Sequence, residues 1–157
     1  MLFLGEFEHS IDPKGRLAIP AEVRTSLDAT THGEALIAAP GPNGCLWLWP
    51  EKTFEQLAQA LGGSLVGDED LMAFERLVFS KAARMQIDGA GRVRLPQRLL
   101  AEFGIEAEVM VLGVRDHLEL MPPPRWRQEQ ARLQPQQQEV WRRARAAMSA
   151  TRPGTDS

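Results

Sequence analysis

An α+β fold built from two copies of one structural unit is what this chain predicts, on three observations. The segment Ile11, Asp12, Pro13, Lys14, Gly15, Arg16, Leu17, Ala18, Ile19, Pro20 returns 76 residues later as Ile87, Asp88, Gly89, Ala90, Gly91, Arg92, Val93, Arg94, Leu95, Pro96. Each copy is followed by a short stretch with helical apolar spacing, and then by two apolar runs that read as a strand pair. Two copies are too few to stack as a solenoid, which needs about three or more. The copies are therefore expected to complete each other as half-folds around a pseudo-twofold axis.

The elements follow in chain order. Asp12, Pro13 and Gly15 occupy the positions i, i+1 and i+3 of a type I turn, so a tight hairpin tip is expected there. The second tip keeps Asp88 and Gly91 but has Gly89 in place of proline, which predicts a looser turn. Leu17 and Ile19 flank Ala18 with the period of a half-buried strand, and Pro20 ends that strand and opens a short helix carrying Val23 and Leu27. In the second copy the helical face is Leu99, Leu100 and Phe103, with Gly104 placed as its C-terminal cap. The strand pairs are expected at 35–39 and 45–49, then at 109–114 and 117–121; Pro50 with Phe54, and Pro124 with Trp126, close the two copies.

Between the copies, Phe54, Leu57, Ala58 and Leu61 keep helical spacing until Gly62 and Gly63, and Leu71, Phe74, Leu77 and Val78 resume it after Asp68. Such stripes read as core or packing faces. Beyond Pro122 to Pro124 the chain turns to Arg, Gln and Ala, which predicts a solvated helix fraying before Arg152 and Pro153. The unit boundaries implied are 5–52, a helical connector 53–80, 81–124, and a basic extension 125–157.

Composition narrows the function classes. With 43% apolar and 25% charged residues the chain is ordinary for a globular protein. Its single cysteine, Cys45, lies in an apolar run and reads as a buried structural thiol, so no disulfide framework is expected and a reducing compartment fits. The N-terminus lacks a basic segment and a long apolar run, which argues for a cytoplasmic protein with no membrane partner. His9, His32 and His117 have no metal-ligand spacing, Glu6 with Glu8 and Asp68 with Asp70 read as solvated carboxylates, and no glycine-rich loop has a phosphate-cradling form. No catalytic site, metal or cofactor is expected.

Net charge is −3, which argues against a uniformly basic nucleic-acid binder and requires any such site to be local. Seven arginines against three acidic residues make 122–157 basic. The recurring cation is Arg16 and its mate Arg92, each one residue past the turn glycine. They either brace the tips by pairing with Asp12 and Asp88, or make bidentate contacts to phosphate or guanine, and bracing does not preclude binding. Lys14 adds a point charge, Arg94 should share a strand face with Arg92, and Arg24 and Arg98 sit on the following helices.

This doubled Asp-x-x-x-Arg turn resembles the MraZ transcriptional regulators, which are built of two SpoVT/AbrB-like swapped-hairpin units. The resemblance covers residues 1–126 and rests on Phe3, Gly5, Asp12, Lys14, Gly15, Arg16, Leu17, Pro20, Leu48, Pro50, Asp88, Gly91, Arg92 and 111–114. It implies two tandem swapped-hairpin units forming a β-barrel-like core. It also implies a nucleoid-associated repressor that binds double-stranded DNA at promoter direct repeats, upstream of its own division and cell-wall gene cluster, as a ring-shaped homo-oligomer. The family's DNA-contacting arginines fall on Arg16 and Arg92, with Lys14 assisting. Leu4 and Leu100 depart from the family pattern, since a basic residue is expected at each; Leu100 is read as following the second short helix, with Arg94 and Arg98 nearby to compensate. The rival reading is a protein-interaction module of the swapped-hairpin class.

Overall fold

A computed structural model describes residues 1–63, 65 and 67–151. The chain divides into two compact units, Met1–Pro123 and Pro124–Ser157.

The first unit opens with strand β1 (Glu6–Ser10), crosses the first tip to β2 (Arg16–Ala18), and continues through helices α1 (Ala21–Thr25) and α2 (Ala29–His32) to strands β3 (Ala35–Pro40) and β4 (Leu46–Pro50). Helices α3 (Glu51–Gln59) and α4 (Glu69–Lys81) join this half to the next. There β5 (Ala83–Gln86), the second tip, β6 (Arg92–Arg94), α5 (Gln97–Glu102), β7 (Glu108–Val114) and β8 (His117–Met121) repeat the order. The expected strand pairs are present, and each copy gains a further strand before its tip. Helix α2 was not expected; it is capped by the Asp28 side chain, which accepts from the Thr31 amide at 2.9 Å.

Strand pairing interleaves the halves. Six strands form an open sheet in the order β1-β7-β8-β4-β3-β5, which reads the same from either edge when the copies are exchanged. β1 of the first copy pairs with β7 of the second, and β5 of the second pairs with β3 of the first. The short strands β2 and β6 form a separate two-stranded sheet, Leu17 opposite Val93, and Leu17 also bridges to Ile11. The expected barrel-like closure is not seen: β1 and β5 are free edges of the main sheet.

The central strands are apolar on both faces, as strands covered on both sides must be: Ala35, Leu36, Ala38 and Ala39 on β3, and Leu46, Leu48, Trp49 and Pro50 on β4, are buried. Leu17, Ile19, Val23, Val93, Leu95 and Leu99 bring both tips and both short helices onto the same core. Pro20, Pro50 and Pro96 each precede the first helical residue with ψ of 139°, 139° and 134°, so they act as N-caps and not as first-turn residues. Gly104 caps α5 at φ +66°, its amide donating to Ala101 and that of Ile105 to Leu100, the Schellman pattern. Cys45 is buried, as expected.

The apolar stripes of α3 and α4 are a correction. Val78 joins Ala39 and Trp49 in a small second cluster, but Leu57, Leu71, Phe74 and Leu77 stay exposed in the isolated chain. From the end of the first unit the described residues run through α6 (Pro123–Leu133), a 3-10 turn at Gln134–Gln136 and α7 (Gln137–Thr151), largely solvated as expected. The expected fraying at Arg152 and Pro153 lies outside the described residues. Among the described residues no helix is long and apolar enough to cross a membrane.

His117 is buried at the start of β8, stacked on Trp47 at 3.8 Å between ring centroids, with Nδ1 2.8 Å from Asp116 and Nε2 2.9 Å from Glu119. Burial pushes the imidazole down, but hydrogen bonds and charge from Glu119 and Asp116 prevail and hold it above its usual value. A raised histidine contributes stability that is full below its unfolded pKa, about 6.5, and is lost as pH rises through the folded value. Urea unfolding of wild type at pH 6 and pH 9 should therefore show a loss of stability that a His117→Leu variant lacks; equal losses in both would remove this role.

Candidate nucleic-acid interface

Both tips are built by one device. The Asp12 amide donates to the Arg16 carbonyl at 3.1 Å and the Gly15 amide to the Asp12 carbonyl at 2.9 Å; the same bonds recur at Asp88, Arg92 and Gly91, each at 2.9 Å. Oδ1 of Asp12 accepts from the amides of Lys14 and Arg16 at 3.0 and 2.8 Å, and Oδ1 of Asp88 from those of Ala90 and Arg92, both at 2.9 Å. Their Oδ2 atoms accept from the Nε of Arg16 at 2.5 Å and of Arg92 at 3.0 Å. The amides of Arg16 and Arg92, foremost, hold both carboxyls below the usual aspartate range. Loss of the proline at Gly89 leaves this bonding unchanged.

Bracing is thus the first role of both arginines, and it uses only Nε. The Nη groups of Arg16 and Arg92 have no hydrogen-bond partner among the described residues, and their side chains are 34% and 37% exposed. Each carboxylate orients its guanidinium and leaves the outer edge open, the edge that makes paired bonds to phosphate or to a guanine.

Pairing of β2 with β6 then gathers cations from both copies. Arg16 stands directly opposite Arg94, and Ala18 opposite Arg92, so these four share one face while Leu17 and Val93 are buried on the other. Like charges opposite one another on a ribbon are destabilising, and Arg94 makes no ion pair among the described residues. Lys14 on the first tip is exposed and lines a cleft with Arg94, Pro13 and Gln97. The ribbon is flanked by Ile19 donating to Gly91 at 2.9 Å and Leu95 to Gly15 at 2.8 Å, so each tip is tied to the other copy's strand.

Arg24 and Leu100 occupy equivalent places in the repeat and approach opposite tips. Arg24 donates through Nε to Ile19 and lays its guanidinium over Gly91, 2.5 Å from where a Cβ would stand. Leu100 lies within α5, not after it, and packs against Gly15. The expected arginine there is absent because the position is filled as core. Arg98 donates to the last carbonyl of α4 at 2.9 Å, and Leu4 is exposed with its backbone over Gly113. His9, which has no turn motif to reveal it, bonds through Nδ1 to the Ala18 carbonyl at 2.9 Å and ties β1 to the ribbon.

Residues 2–69 and 78–145 each match the family model described as "MraZ protein, putative antitoxin-like". Among curated relatives, a protein of Heliobacterium modesticaldum named "Transcriptional regulator MraZ" is 34% identical over 139 residues, 88% of this chain and 94% of its own. Proteins of the same name from a Roseiflexus species and from Symbiobacterium thermophilum are each 39% identical, covering 80% and 78% of this chain and 84% and 86% of their own. The chain belongs to the MraZ family.

Gly15 and Gly91 sit at φ +80° and +75°, and a Cβ at Gly15 would lie 2.8 Å from the Leu95 carbonyl oxygen. Gly15→Ala should cost about 1–3 kcal/mol in denaturant unfolding; a neutral result would mean that the tips are not constrained as described.

Proposed function

We propose that this member of the MraZ family is a sequence-specific DNA-binding transcriptional regulator whose reading element is the β2–β6 ribbon. The observation that supports it is the convergence of Arg16, Arg92 and Arg94 on one ribbon face, with Arg16 and Arg92 tethered to Asp12 and Asp88 through Nε and their Nη groups unpaired among the described residues. A two-stranded ribbon fits the major groove, about 12 Å wide, where an arginine can pair with guanine O6 and N7. Arg16 and Arg92 read bases, and Lys14 and Arg94 contact phosphates. The swapped-hairpin assignment divides the chain into SpoVT/AbrB-like units at 5–52 and 81–124, a connector at 53–80 and a basic extension at 125–157.

So few cations per subunit give weak binding, because each neutralised phosphate contributes a slope of only about −0.9 in log affinity against log salt. Several subunits on spaced direct repeats make the later contacts intramolecular, raising avidity by about 10² to 10⁴. The protein therefore acts as a homo-oligomer, closed as a ring, on repeats upstream of its own division and cell-wall genes, and represses them from the nucleoid.

A shift titration of the protein on its own upstream DNA and on random DNA tests this reading. Arg16→Ala and Arg92→Ala should each weaken specific binding by about 1–3 kcal/mol while sparing random DNA. Equal losses on both would reassign them to phosphates, and no wild-type binding would favour the interaction-module alternative.

A further inference from the structure

The strand core and the tip cations leave two apolar surfaces unexplained, one in each compact unit. In Met1–Pro123, Trp47, Trp49, Phe54, Leu57, Phe74 and Phe79 line a groove of about 340 Å³ between α3, α4 and the strands beneath them. Leu71, Met72 and Leu77 of α4 are also exposed. In Pro124–Ser157, Trp126, Leu133, Val140, Trp141 and Met148 recur at helical spacing, and Trp141 and Met148 are 59% and 58% exposed. Clusters of large exposed apolar side chains on a small chain mark interaction sites.

Charge distinguishes the two surfaces. Residues 51–81 carry six carboxylates against three cations, whereas 122–157 carry seven arginines against three acidic residues. The two apolar surfaces thus lie on segments of opposite net charge, which favours contact between unlike patches over contact between like ones.

We infer that the C-terminal helical unit of one copy docks into the α3/α4 groove of a second copy. The inference rests on the oligomer part of the reading above and names the surfaces that make it. Trp141, with Val140 and Met148, is the anchor, aromatic anchors in apolar pockets being the usual source of binding energy; Arg142 and Arg143 pair with Glu139 on their own helix, and Arg145 adds a cation beside them for the acidic 51–81 segment. Because the joined patches differ, every docked copy leaves one groove and one helix free. Such head-to-tail contacts propagate until they close a ring or run on as a filament.

Cross-linking between differently marked full-length chains tests this. One chain carries Ala73→Cys on α4 with a short tag, the other Gln138→Cys on α7 without it; both sites are exposed and leave the apolar side chains intact, and the parent chain, whose Cys45 is buried, is the control. With a short bismaleimide the mixture should give the tagged–untagged pair at least about tenfold over like–like pairs. Trp141→Glu should raise the concentration at which the assembly dissociates by at least about tenfold, with an unchanged circular dichroism spectrum. Like–like pairs, or no cross-link while sedimentation reports an oligomer, would overturn this inference and leave the oligomer reading standing. A monomer at every concentration would overturn both.

Discussion

Antiparallel pairing of β2 with β6 is the constraint on which the rest of this molecule depends. Each strand is three residues long and has no other strand as partner, Leu17 adding only a single bridge to Ile11, so each depends on its mate. Leu17 and Val93, opposite each other at its centre, are buried beneath it. The turn chemistry serves this contact. Gly15 and Gly91 take the left-handed conformation that brings each tip against the other copy's strand, and Asp12 and Asp88 satisfy amides the ribbon cannot reach. Exchange of β1 and β5 between the copies repeats the lesson across the main sheet, since each half lends an edge strand to the other.

The same pairing turns an acidic chain into one with a local cationic face. Arg16 and Arg94 come from different copies and meet only because of the cross-copy register. Arg16 and Arg92 are paired with their own tip aspartates, whereas Arg94 and Lys14 have no ion pair among the described residues, and the bracing contacts engage Nε alone, without a bond to the Nη nitrogens. The contrast between Arg24 over Gly91 and Leu100 under Gly15 makes the two tips chemically unequal despite their shared bonding.

Much of this was legible in the sequence because it is locally encoded. Asp, Gly and Arg at fixed offsets specify the tips, prolines mark the strand-to-helix junctions, and apolar runs locate the strand pairs. The choice of partner was not legible. Period-two patterning says that β1 is a strand but not that it pairs with β7, and the facing of Arg16 with Arg94 follows from a register set by tertiary contacts. His9 and Arg24 acquire their places at the ribbon in the same way. The stripes of α3 and α4 misled for a related reason: helical periodicity reports an apolar face, not what covers it, and within one chain only Val78 of the α4 stripe is buried.

If the cross-copy ribbon is the foundation, the two halves cannot act separately. The direct measurement is to express the chain as two pieces divided between Gly62 and Gly63, and to follow circular dichroism and binding to the upstream DNA for each piece and for the mixture. Neither piece should give a folded monomer that binds, and mixing should restore both the sheet signal and binding. A single piece that folds as a monomer and binds like the whole chain would contradict the account.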